Sequence, residues 1–136
     1  MDITTAGIVK RYTGGSNHNW LSLSGITFFT SGGTNLPFNS YWSNYGAGWH
    51  TCQYKKFSDG IVVVQGLAKT TTSMSSSRPI ATLPAGFRPK RRLIFVCNNH
   101  AYTTRIDVLT NGQILWVGGG NSHSWISLTC ITFYTD

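Results

Sequence analysis

The sequence predicts an all-β fold, an antiparallel β-sandwich of about six to eight strands, and three observations predict it. Charged residues make up only 11% of the 136-residue chain and Glu is absent, while aromatic residues reach 13%. A typical soluble domain is about 25% charged, and exposed helices lean on Lys/Glu pairs that cannot form here. Runs rich in Val, Ile, Thr, Phe and Trp recur at short intervals between clusters of Gly, Asn, Asp, Ser and Pro, the punctuation of strands and turns. No stretch carries a helical period. The length suits one ordinary domain, large enough to bury a core without metals or disulfides.

The elements follow in order. Residues 31–48 are rich in Gly, Ser, Asn and aromatics without a clear period, which predicts a linker followed by an aromatic loop. Residues 49–57 then form a strand, Ser58-Asp59-Gly60 a tight turn, and the β-branched run 61–68 the returning strand. Residues 69–78 are a polar loop. The piece 79–84 is bounded by prolines, so it is at best an edge strand. Residues 85–89 make a turn, 92–97 a buried strand by its unbroken apolar run, Asn98-Asn99-His100 a turn, and 101–109 another strand. Asn111-Gly112 is a two-residue hairpin signal joining 104–110 to 113–117. The segment 125–135 starts with strict alternation, and its phase slips after Cys130, which predicts a β-bulge there.

The chain also repeats itself. Residues 3–30 align with 108–135 without a gap at an offset of 105. Gly7 matches Gly112, Gly14-Gly15 matches Gly119-Gly120, and His18 and Trp20 match His123 and Trp125. Ser22-Leu23 and Ile26-Thr27-Phe28 recur as Ser127-Leu128 and Ile131-Thr132-Phe133, while Gly25 stands where the second copy has Cys130. Two explanations compete. Residues 1–30 are either the closing strands of an upstream unit or an N-terminal hairpin of one domain. The middle of the chain holds no second copy, which favours the first. The organisation expected is therefore a partial repeat at 1–30, a linker and aromatic loop at 31–48, and a β-sandwich at 49–136.

The formal charge of +7, from eleven Lys and Arg against four Asp, attracts anions of any kind. The densest basic run, 88–92, sits between a turn and a strand, and no nucleic-acid module surrounds it. Three cysteines, Cys52, Cys97 and Cys130, have an odd count and no short spacing, so buried free thiols are expected rather than a disulfide framework or a zinc site. The first residues lack a basic start and an apolar core, and no run approaches the roughly 20 apolar residues of a membrane span.

The order Trp49…Tyr54, Ser58-Asp59-Gly60, Val62-Val63-Val64-Gln65-Gly66, the stretch LPAGFRP at 83–89, Gly112, and Trp125-Ile126-Ser127-Leu128…Ile131-Thr132-Phe133 resembles the C-terminal head domain of phage tail-fibre and receptor-binding proteins. The resemblance spans 49–135, with a partial match at 3–30. It implies a homotrimer at the distal tip of a virion fibre, made in the host cytoplasm and joined to an upstream shaft. Such a tip contacts a host-surface glycan or protein and does not insert into membranes or bind nucleic acid. The motif residues fix turns and strands, so no receptor-binding residue carries over.

Catalysis is not expected. The chain has no G-x-S-x-G elbow and no phosphate loop. Glycan hydrolysis needs two flanking carboxylates, and the only acids are Asp2, Asp59, Asp107 and Asp136. His18, His50, His100 and His123 are scattered in sequence without Cys or carboxylate partners, so no metal or other cofactor is expected. Binding candidates are aromatic, because sugar C–H faces stack on Trp and Tyr while hydroxyls seek Asn, Ser or Arg. One set is Tyr41, Trp42, Asn44 and Tyr45 with Trp49 and His50; the other is Asn98, Asn99 and His100 with Tyr102 and Arg105. Trp20, Trp125 and the repeated histidines read as structural. The rival readings are a free-standing lectin or adhesin and a structural virion part without a receptor.

Overall fold

The structure is a computed structural model and describes residues 1–12, 14–15 and 17–135. Thr13 and Ser16 of the first repeat copy, and Asp136 among the acids considered, lie outside the described residues. Among those described there is no helix. The strands are β1 (Asp2–Ile3), β2 (Val9–Lys10), β3 (Thr34–Asn35), β4 (Trp42–Asn44), β5 (Gln53–Lys56), β6 (Ile61–Gln65) and β7 (Leu67–Thr70). They continue with β8 (Ala81–Thr82), β9 (Leu93–Asn99), β10 (Tyr102–Val108), β11 (Gln113–Gly119), β12 (Trp125–Ser127) and β13 (Ile131–Tyr134). A seven-stranded sheet runs β4-β7-β12-β9-β10-β11-β8, a four-stranded sheet runs β13-β6-β5-β3, and β1 pairs only with β2. Every ladder is antiparallel. The expected sandwich is present, and its two sheets hold more strands than six to eight because β3, β4 and β8 are short edge pieces.

The core lies between the sheets. Tyr54, Val62, Val64, Ile131 and Phe133 from the smaller sheet meet Ala68, Cys97, Ile106, Ile114 and Ile126 from the larger. Burying each aliphatic side chain contributes roughly 1.5–3 kcal/mol. The tight turns are where the sequence puts them, as three-residue loops closed by a left-handed glycine rather than two-residue hairpins. Phe57 N–H donates to Ile61 O at 2.8 Å around Gly60, and Leu109 N–H donates to Gln113 O at 2.9 Å around Gly112. The LPAGFRP stretch ties the two sheets together. Leu83 is fully buried, Arg88 Nε donates to Leu83 O at 2.8 Å, Lys56 Nζ donates to Gly86 O at 3.0 Å, and the Phe87 ring meets Tyr54 edge-on at 4.9 Å.

Four expectations are corrected. The run 61–68 is two strands, because the chain leaves the small sheet after β6 and enters the large one at β7, bending at Gly66 with φ 119°. The phase slip near Cys130 is likewise a change of sheet, from β12 to β13 through 128–130, and not a bulge. The two corners touch: Leu128 N–H donates to Gly66 O at 2.9 Å and Gly66 N–H donates to Thr129 Oγ1 at 3.1 Å. Residues 31–48 do not behave as a linker, since they contribute β3 and β4 and send Leu36 and Trp42 into the core. Finally, Cys97 and Cys130 are joined in a disulfide, their Cα atoms 5.8 Å apart, and Cys52 alone is a buried free thiol. Pairing Ser127 with Asn98 brings the corner carrying Cys130 beside Cys97, a proximity no spacing along the chain reveals.

The first copy leads into this body at Phe29. Its ring is buried against Gly33, and its backbone is held by the Gln65 side chain, with N–H to Oε1 and O from Nε2 each at 2.9 Å.

Candidate functional site

The outer face of the large sheet joins parts of the two candidate sets that are far apart in sequence. Residues paired across an antiparallel ladder point to the same side. Ser43 on β4 pairs with Lys69 on β7, Lys69 pairs with Trp125 on β12, and Ser127 on β12 pairs with Asn98 on β9. This row therefore runs from the Tyr45 loop to the turn at His100. Lys69 Nζ lies 5.9 Å from the Tyr45 ring. At the other end His100, held at φ 59°, packs its ring 4.5 Å from His123 and 6.2 Å from Trp125, while His123 and Trp125 are 5.8 Å apart. Trp125 and His123 are half-buried and His100 is exposed.

The candidates divide by what they touch. Tyr41 is exposed, with the Arg78 guanidinium 5.6 Å from its ring, and Trp49 is exposed beyond the Gly46–Ala47–Gly48 bend. Tyr102 is exposed beside Gly120. Trp42 is corrected: it is 7% exposed, part of the core, and out of reach of any ligand. Asn44 is spent on structure, its Oδ1 accepting from Cys52 N–H at 2.7 Å. Asn99 is fully buried and pins two loops together, donating to His123 O at 2.9 Å and Trp125 O at 2.5 Å and accepting from His123 N–H at 3.3 Å. It shapes the aromatic cluster without lining it. Asn98 donates to His100 O and so braces the turn. His50 bonds Thr51 O through Nδ1 at 2.6 Å and receives Gln65 Nε2 at 3.1 Å, which requires the Nδ1–H tautomer.

Arg105 belongs to a charge cluster. Asp107, whose side chain is fully buried, accepts from Arg105 Nε at 2.8 Å and Nη2 at 2.9 Å, and from Arg92 Nε at 2.6 Å. The Arg105 hydrogen bonds, followed by those of Arg92, hold its carboxyl below the usual carboxylate range against the opposing effect of burial. The same bonds push the Arg105 guanidinium up. Of the basic run, Arg88 and Arg92 are thus engaged, and Lys90 and Arg91 stand exposed beside Tyr134. Asp107 is neutralised where it sits and Asp59 caps its turn by accepting from Ile61 N–H at 3.3 Å. Cys52 is fully buried, and burial pushes its thiol up to about 12, which disfavours the thiolate.

Lys69, His123 and Trp125 were missed by the sequence reading as surface residues. For His123 and Trp125 the signal was the repeated His-x-Trp spacing, which reads as a packing motif until the sheet order sets Trp125 opposite Lys69, whose Nζ lies by the Tyr45 ring. No helix is long and apolar enough to cross a membrane among the described residues.

No known protein-family profile matches the chain, and no curated protein matches it by sequence. Its fold is found in solved structures, among them the crystal structure of the receptor binding protein (gp15) of Listeria phage PSA, at TM-score 0.59 and 20% identity. The match covers 77% of this chain and 65% of that protein, so this chain spans less than two thirds of its neighbour's length. The all-β fold expected from the head-domain resemblance is borne out.

Proposed function

We propose that this chain is the receptor-binding tip of a viral fibre, attaching the virion to a glycan on the host surface without catalysis. The observation that carries the reading is the solvent-facing row of Tyr45, Lys69, Trp125, His123 and His100 on a sandwich whose fold is shared with a phage receptor-binding protein. Rings present flat apolar faces to sugar C–H groups, and Lys69, His100 and His123 supply hydrogen bonds around them. Tyr41, Trp49 and Tyr102 stand exposed as further contacts.

The working unit in this reading is a homotrimer joined to an upstream shaft. Ile94 and Val96 project from the outer face of β9 and are exposed, with Arg105 paired opposite Val96. Such an apolar strip suits burial against sister chains. Three weak sites on one tip then gain avidity without new contacts. The net charge of +7 speeds capture of acidic surfaces, an advantage that salt removes.

The test is adhesion of labelled protein to susceptible cells, followed by a glycan array. Trp125→Ala and His100→Ala are expected to cut binding at least tenfold with the fold intact. Equal binding by wild type and both variants would remove this site. No binding to any susceptible host by the wild type would favour a structural virion part instead.

A further inference from the structure

The hairpin Asp2–Lys10 and the corner from Leu23 to Ile26 repeat the geometry of their counterparts in the chain's own closing segment without their surroundings. Asp2 pairs with Lys10 and Ile3 with Val9, as Asp107 pairs with Leu115 and Val108 with Ile114, each residue displaced by 105 positions. The turns agree bond for bond. Thr4 N–H donates to Ile8 O at 3.0 Å and Gly7 N–H to Thr4 O at 2.9 Å, matching Leu109 to Gln113 and Gly112 to Leu109 at 2.9 Å each. Gly7 has φ 75° and Gly112 φ 90°. Even the corner recurs, with Ile26 N–H to Leu23 O and Ile131 N–H to Leu128 O both at 3.2 Å.

Burial, by contrast, is inverted. Val9 is 44% exposed where Ile114 is fully buried, Leu23 is 51% exposed where Leu128 is fully buried, and Phe28 is 49% exposed where Phe133 is 6%. The segment carries core side chains and has no core. The sandwich behind it does not supply one, because the position along β6 is already filled by β13, with Ile131 against Val64 and Phe133 against Val62. The two copies also present opposite faces. Phe29 is buried on this body while its counterpart Tyr134 is exposed, so the face bearing Phe28 points away. Asp2 repeats Asp107, the acid clamped by two arginines, yet makes no ion pair among the described residues.

We propose that residues 2–28 are the closing hairpin and final strand of a second β-sandwich of the same construction, docking on the body of a unit that precedes this one in the same polypeptide. The occupant is specified by the second copy, whose covering is this chain's own residues 36–106. It offers an apolar inner sheet, an open edge like that of β6 for residues 26–28, and an arginine placed like Arg92 for Asp2. A sister copy does not fit, since its β13 would have to leave. The assignment stands apart from any receptor.

The experiment grafts residues 31–105 ahead of Met1 of the full chain, so that Met1 takes the place Ile106 holds in the native body. Amide hydrogen exchange at Val9, Ile26 and Phe28 is expected to slow at least ~1000-fold relative to the ungrafted chain, as these amides join a cooperative core. Leu23→Ser with Phe28→Ser is expected to abolish that protection while leaving Val62, Val64 and Ile131 unchanged. In the ungrafted chain the same pair of substitutions should not move the unfolding midpoint, whereas Leu128→Ser should lower it. A graft that gains no protection overturns the proposal. So does a lowered midpoint in the ungrafted double variant, which would place the segment in this unit's fold. Protection of the ungrafted chain that grows with its concentration would assign the cover to a sister copy and equally overturn it.

Discussion

Gly66 does two things no other residue type can do together. Its φ of 119° is a conformation that L side chains rarely adopt, and a Cβ there would lie 2.5 Å from Cys52 Cα. Gly66→Ala is therefore expected to cost roughly 3 kcal/mol, read from the shift of a urea unfolding curve. A change within experimental error would mean that the corner relaxes freely. Asp107 gives a second residue-scale prediction. Its folded-state carboxyl binds a proton less readily than the unfolded one, whose pKa is about 3.9. Its contribution is thus complete above about pH 4 and is lost as pH falls through the depressed folded value. The stability gap between wild type and Asp107→Asn should be open at pH 7 and narrow below pH 3. A gap independent of pH would remove the arginine clamp as its cause. What could be read at this scale depended on whether neighbours in sequence are neighbours in space. Gly60 and Gly112 were legible as turn glycines because the turn is local. Trp42 and Tyr41 are adjacent aromatics with opposite fates, one in the core and one in solvent, and composition does not say which way a ring points.

Elements were legible where one strand ran between two turns and were misread where a strand changed sheets. The run 61–68 is unbroken in hydrophobic character because both sheets bury it, so nothing in the side chains marks the bend at Gly66. The second corner left a trace, the parity slip after Cys130, though a slip alone does not separate a bulge from a change of sheet. The corners support one another, and Thr129 is the joint between them. Thr129→Val keeps the shape and removes the acceptor for Gly66 N–H, at an expected cost of about 1 kcal/mol by chemical denaturation. If Thr129→Val is as stable as wild type, the corners are held by packing alone. The disulfide between Cys97 and Cys130 was illegible for the same reason as the corners: it depends on which strands sit side by side.

At the scale of the molecule, the all-β sandwich followed from composition and punctuation, while the aromatic row did not. Tyr45, Lys69, Trp125 and His100 come from four strands or their loops, and only the sheet order β4-β7-β12-β9 aligns them. Several of the sequence candidates support that surface from within. Asn99 and Asn44 hold loops, and Trp42 fills the core. Assembly belongs here too. If the proposed trimer forms, Ile94→Lys with Val96→Lys is expected to convert it into folded monomers in sedimentation velocity, since the outward strip on β9 contacts nothing within the subunit's core. Trimers that survive the double substitution would move the interface elsewhere, and a monomeric wild type would remove it.

The Gln65 grip on Phe29 also has a mechanical meaning. Tension along the N-terminal segment arrives at a side chain rooted in β6, which lies between β13 and β5. An inner strand held on both flanks must shear several ladder bonds at once, whereas an outer one peels bond by bond. A tug on this tether therefore meets two hydrogen bonds rooted in the inner strand β6 before it reaches the edge strand β3.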